Sequence, residues 1–298
     1  MSSRGFEPRR RSSARRGAPV VLFFLVLVLI AILTGYTLGK YVLTAWLGPR
    51  GEPASGLSDK TEATTGEEGL ASGEAEMVAA QASPINLFRL QLGAFSSRER
   101  AQRAAEEAMS KGVAALALES DKAPFRVVGG LYASREAADK AAASLKAKGF
   151  DAYVTALQVP GVNVSLDGVP QDFASAVTKS VANISAFLAD QAALWDEVTL
   201  GGQPAEGRIS NMENLVSESS AALGGVVAPN EWVSVYDALK GVVDRARENA
   251  NALKDVVTGG SPAERAETMV DYMLLVQLYE KCLSEAVTAA SAQVPAGE

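Results

Sequence analysis

"FRLQLGAFSSRERAQRAAEEAMSKGVAALAL" runs from Phe88 to Leu118, and "FRVVGGLYASREAADKAAASLKAKGFDAYVT" runs from Phe125 to Thr155. Set side by side without a gap, 37 residues apart, the two stretches agree at 12 of 31 positions. The agreements keep an order: Phe-Arg, Gly, Ser-Arg-Glu, paired alanines, then Lys-Gly. The chain contains an internal repeat, and the repeat decides the fold of its middle part.

In the first copy "LFRLQL" alternates apolar and polar residues, as a half-buried strand does. Gly93 breaks that run, and "SSRERAQRAAEEAMSKG" follows as a helix with a serine cap. Ala101, Ala104, Ala105 and Ala108 form a small-residue stripe along it, and Gly112 stands where the helix should stop. "VAALAL" returns to strand. The second copy repeats the order with "FRVVGGLY", a helix over "SREAADKAAASLKAKG", and "FDAYVTAL". The sequence therefore predicts β-α-β-β-α-β, an α+β ferredoxin-like sandwich with both helices on one sheet face and the other face bare. The bare face is where a ligand is expected.

Charge is distributed in series. The net charge is −7 over 298 residues, yet residues 1–47 carry seven Lys/Arg against one Glu. Residues 48–85 carry two against seven acids, 86–157 eleven against eight, and the remainder eight against nineteen. The strongest basic excess lies on the first sixteen residues and not on a folded domain, which argues against nucleic acid as a partner. The same β-α-β-β-α-β order also builds single-stranded RNA-binding domains, but those place exposed aromatics mid-strand, where this chain has Arg89 and Gln91. The absence of histidine, with Cys282 the lone cysteine, removes histidine triads, histidine metal sites and zinc clusters. No cofactor is implied. Cys282 reads as a small apolar side chain inside a helix.

The first residues, 1–17, form a basic head with six arginines, followed by 23 uncharged residues from Gly17 to Gly39. As a helix that run is about 34 Å long, enough to cross a hydrocarbon core roughly 30 Å thick. Residues 18–47 are thus expected to be a transmembrane helix in the lipid bilayer, with Tyr36, Tyr41 and Trp46 at its far interface and the arginines on the cytoplasmic side. The run is longer than a signal-peptide core, and no clean cleavage site follows it. Gly35 and Gly39 have the spacing of close helix pairs, which leaves a homodimer open. Residues 48–84 are acidic, poor in aromatics and without apolar period, the composition of a disordered linker of some 30 to 37 Å. The expected topology is a single-pass, type II membrane protein with the bulk of the chain outside the cytoplasm.

Beyond "VPGVNVSLDGVP" the pattern turns helical. From Gln171 to Leu200 apolar residues mostly recur at three or four, a weaker helix follows to about Leu223, and Trp232, Tyr236, Leu239, Val243, Ala246, Ala250 and Leu253 mark a third. Ser261, Pro262 and Glu264 form a capping box for a fourth, with Met269, Tyr272, Val276, Tyr279, Leu283 and Ala286 on one stripe. Residues 168–293 are expected to be an all-α, up-down helical bundle. Adjacent acids such as Asp196 and Glu197 lie about 100° apart on a helix and do not converge on a substrate, so its acids read as solvated faces. A protein partner is open, with Trp195, Trp232, Tyr272 and Tyr279 as anchors or core.

The string "FRLQLGAFSSRERA", with "FRVVGGLYASREAA" and "KAKGFDAYV", resembles the SPOR domain, the sporulation-related repeat of bacterial envelope and division proteins. The resemblance covers residues 85–158. It implies binding of peptidoglycan, in particular glycan strands stripped of their stem peptides, and recruitment to a division or sporulation septum. It carries Gln91, the signature glutamine of the first strand, and Arg126, the arginine of the third, to the ligand face; Arg89 joins them by a spacing of two. Amide and guanidinium groups suit sugar hydroxyls and carbonyls. Pro124 replaces an aromatic common in the family, Gly129-Gly130 or Gly130-Leu131 stands for Gly-Pro, and Ala94 stands for a small polar residue. These departures leave the fold expectation intact and bear on glycan affinity, while Phe95, Phe125 and Tyr132 read as core. The function expected is non-catalytic glycan binding. Its rivals are an envelope scaffold acting through the bundle and, less compatible with the missing histidines, a wall hydrolase.

Overall fold

A computed structural model describes residues 79–293. The basic head, the transmembrane helix expected at 18–47 and most of the acidic linker lie outside the described residues. Among the described residues no helix is long and apolar enough to cross a membrane.

The repeat folds in the predicted order. Strand β2 (Ile85–Phe95) leads into helix α1 (Arg98–Ser110) and strand β3 (Leu116–Ala117); strand β4 (Phe125–Tyr132) leads into helix α2 (Arg135–Ala147) and strand β5 (Tyr153–Val159). The sheet order is β3-β4-β2-β5, antiparallel throughout. The local causes repeat at 37 residues as well. Ser97 caps α1 by accepting from the Arg100 N–H at 3.4 Å, and Ser134 caps α2 by accepting from the Ala137 N–H at 3.2 Å. Gly112 (φ 68°) and Gly149 (φ 85°) end the two helices in the left-handed conformation. Each is followed by a residue whose N–H reaches back 3.0 Å to a carbonyl five positions earlier, Val113 to Ala108 and Phe150 to Leu145. Ala101, Ala105 and Ala108 of α1 pack on Val113, Ala115 and Val127, small side chains that let the helix lie close to the sheet.

The linker expected to reach residue 84 gives way earlier to strand β1 (Ala79–Ala82), which pairs with strand β6 (Val162–Ser165). The β1–β6 and β2–β5 pairings share one register: Ala82 lies opposite Val162 and Ile85 opposite Val159. They form one long antiparallel ladder interrupted at Pro84 and Pro160-Gly161, where prolines withhold the donors. Gly161 is required at the break, because a Cβ there would stand 2.7 Å from the Ala82 carbonyl oxygen.

Helices α3 (Gln171–Leu200), α4 (Arg208–Gly224), α5 (Val233–Gly259) and α6 (Pro262–Gln293) pack as sequential neighbours, with a 3-10 turn at Asn230–Trp232 before α5. Trp195, Trp232, Tyr272 and Tyr279 are all buried, so these aromatics are core and not anchors for a partner. The Tyr272 hydroxyl donates to the Leu188 carbonyl at 2.8 Å and the Tyr279 hydroxyl to that of Val181 at 3.2 Å, tying α6 to α3. Ser261 and Glu264 close the capping box reciprocally, at 2.6 Å and 3.2 Å. Cys282 is buried, and burial pushes its thiol up to about 12.

The sheet and the bundle share one core. Asp196 of α3 accepts the Ala133 N–H at 3.0 Å and the Ser134 N–H at 2.7 Å, just ahead of α2. Expected on a solvated face, Asp196 is instead only 9% exposed and fastens the bundle to the repeat domain. A carboxylate at a helix N-terminus also complements the helix dipole. Beside it Tyr132 hydrogen-bonds with Thr199, and burial raises its phenol to about 12. Glu197, its neighbour, turns away and joins Asp190 on Arg208, at 2.8 and 3.1 Å.

Candidate ligand-binding face

Residues directly opposite in an antiparallel sheet share a face. Arg89 lies opposite Leu131 and Thr155, and Gln91 opposite Val128 and Tyr153. Two register shifts, with Gly129 and Leu92 as the extra residues, keep the strands in phase, so that Arg126, two positions before Val128, falls on the same face. Arg89, Gln91 and Arg126 are therefore brought together on the side of the sheet away from α1 and α2.

That face is not bare. Ile85, Leu87, Leu131 and Val159 are buried in the core shared with the bundle. Over Arg89, Val128, Leu131 and Leu157 lies α6, whose Met273, Val276, Gln277 and Glu280 close a cavity of about 50 Å³. The reason is the face's own chemistry: four large aliphatic side chains exposed on one side of a sheet would form a patch that water penalises, and the bundle removes it from water. The expectation of a bare face came from counting two helices for one sheet.

The covering is incomplete and divides the three residues. Arg89 is half-buried beneath α6; burial holds its guanidinium below the ordinary arginine value, nearby Arg126 adds to the shift and Glu280 opposes it. Its Nε is buried with no hydrogen-bond partner. Gln91 is half-buried, and Arg126 is exposed at the open end of the face. Tyr153, opposite Gln91, is 59% exposed, with the Lys146 ammonium 5.8 Å from its ring centroid. Sequence reasoning passed over Tyr153; the available signal was a tyrosine on the strand that ends the sheet order. The open end thus offers an amide, a guanidinium and an aromatic ring, a set suited to sugar hydroxyls, carboxylates and the apolar face of a pyranose. Pro124, at the position where an aromatic was expected, is exposed. Phe125 and Phe95 are half-buried against α1 and Tyr132 is buried, all three as core. Among the described residues no cluster of His, Cys, Asp and Glu is placed to hold a metal ion.

Residues 85–156 match the family model of the SPOR domain, and the chain belongs to the proteins that carry this domain. The solution structure of the peptidoglycan binding domain of the B. subtilis cell wall lytic enzyme CwlC is 35% identical over 24% of this chain and 90% of that one, with a TM-score of 0.22. No curated protein matches the chain.

Proposed function

We propose that this protein is a non-catalytic peptidoglycan-binding protein that takes glycan strands stripped of stem peptides at the open end of its sheet. Membership of the SPOR domain family over residues 85–156 carries the reading. The placement of Gln91, Arg126 and Tyr153 on one accessible end supports it, with Arg89 deeper under α6. Residues 18–47 anchor the chain in the membrane and the acidic linker holds the domain off its surface, so binding of stripped glycan concentrates the protein at the septum.

The test is co-sedimentation of the full chain, in mild detergent, with sacculi before and after amidase digestion. Binding rises after digestion and falls in Gln91→Ala and Arg126→Glu. A folded wild-type chain that stays in the supernatant under both conditions refutes glycan binding. One observation favours a second reading, in which the bundle is the working part of an envelope scaffold: the bundle covers most of the apolar sheet face. On that reading the sacculi bind neither wild type nor variants.

A further inference from the structure

Met273, Val276, Gln277 and Glu280 recur at three and four along α6 and so form one stripe over the sheet. Its first two members are apolar and suit Leu131, Val128 and Leu157 beneath them. Packing alone would call for a third apolar residue at 280. Glu280 stands there instead, partly desolvated, and burial raises its carboxyl above the ordinary value while Arg89 pulls it back. A half-buried carboxylate is costly unless it is matched. The match across this cavity is Arg89, whose buried Nε has no partner. The two groups feel one another's charge without closing into an ion pair.

We propose that the glycan site is composite and internally opposed, with Glu280 of α6 competing against the anionic groups of the ligand for Arg89. This rests on the glycan-binding reading above and adds the regulation of that site. Amidase cleavage supplies the relevant chemistry, since hydrolysis of the amide that joins peptide to sugar leaves a carboxylate on the glycan. That carboxylate and the Glu280 carboxylate seek the same guanidinium, and Arg126 at the open end is the cation the ligand meets first. Glu280 thereby sets a ceiling on affinity and keeps the protein exchanging along the wall.

The test compares wild type, Glu280→Gln, Glu267→Gln and Arg126→Glu, each as the full chain in mild detergent, on amidase-digested sacculi and on the same sacculi with their carboxylates amidated. Removing one opposing charge near a partly buried cation is expected to tighten binding about three- to tenfold. Glu280→Gln gains this on the untreated carboxylates and loses the gain on the amidated sacculi, while Glu267→Gln, on an exposed part of α6, matches wild type. Thermal unfolding confirms the fold, and Glu280→Met, suited to the apolar surroundings, repeats the measurement if the amide disturbs packing. Wild-type binding that Arg126→Glu abolishes but Glu280→Gln leaves unchanged overturns the counter-charge and spares the glycan reading. A gain that persists on amidated sacculi overturns it too. Absence of binding by every chain overturns both.

Discussion

Replacing Asp196 by alanine tests whether the bundle and the repeat domain form one cooperative body. The carboxylate accepts two N–H groups, at 3.0 and 2.7 Å, from Ala133 and Ser134, and it is 9% exposed. Hydrogen bonds to a charged group contribute roughly 1.5 to 3 kcal/mol each, and leaving a donor unpaired removes that contribution. Ala133 and Ser134 are only half-buried, so water recovers part of the loss. The expected cost is about 2 to 4 kcal/mol for the pair. For a domain of this size each kcal/mol moves the midpoint by roughly 2 to 4 °C, so Asp196→Ala should unfold about 4 to 16 °C lower. Asp196→Asn keeps one acceptor oxygen and should lose about half as much. The assay is thermal unfolding followed by circular dichroism, beside hydrogen exchange at the Ala133 and Ser134 amides. A midpoint within about 1 °C of wild type with both amides still protected would show that the contact fastens nothing, and the shared-core reasoning would fall with it.

Ser261→Ala removes the oxygen that accepts from the Glu264 N–H at 3.2 Å, and should cost about 1 kcal/mol, seen as a midpoint roughly 2 to 4 °C lower. Gly130→Ala places a methyl group 2.9 Å from the Tyr132 ring, which is buried and held by Thr199. Overpacking of about 1 to 3 kcal/mol is expected in denaturant titration, and no change in midpoint would mean the ring is free to swing. Because burial raises the Glu280 carboxyl, the folded state holds that proton more tightly than the unfolded chain does. The stability Glu280 contributes is complete below its unfolded value, near 4.5, and declines as pH rises through the folded one. Glu280→Gln should flatten that part of the stability–pH curve, and a curve of unchanged slope would refute the burial.

Much of the fold was legible because its causes are local. Ser97 and Ser134, Gly112 and Gly149 recur at the repeat spacing and act within a few residues of themselves, so the helix limits follow from the sequence alone. The capping box at Ser261 is of the same kind. What escaped depends on which surfaces meet. Nothing near Ala79–Ala82 signals a strand until Val162–Ser165 lies beside it. Asp196 carries the same side chain whether it faces water or two backbone donors 62 and 63 residues away. The site divides along the same line. Alternation along β2 put Arg89 and Gln91 on one face, but that α6 would lie over Arg89 and leave Arg126 open is set by packing between segments some 190 residues apart.

The ladder that joins β1 to β2 across Pro84 also fixes where tension runs. A pull applied to the chain ahead of Ala79 passes along β1 into β2. Strand β2 lies between β4 and β5, so its hydrogen bonds on both sides resist sliding together instead of opening one after another. Gln91 sits on that same strand, twelve residues from Ala79. Such a load would then travel through this short stretch of backbone, and because Ala80 and Ala82 of β1 are buried in the core shared with the bundle, the helices would bear part of it.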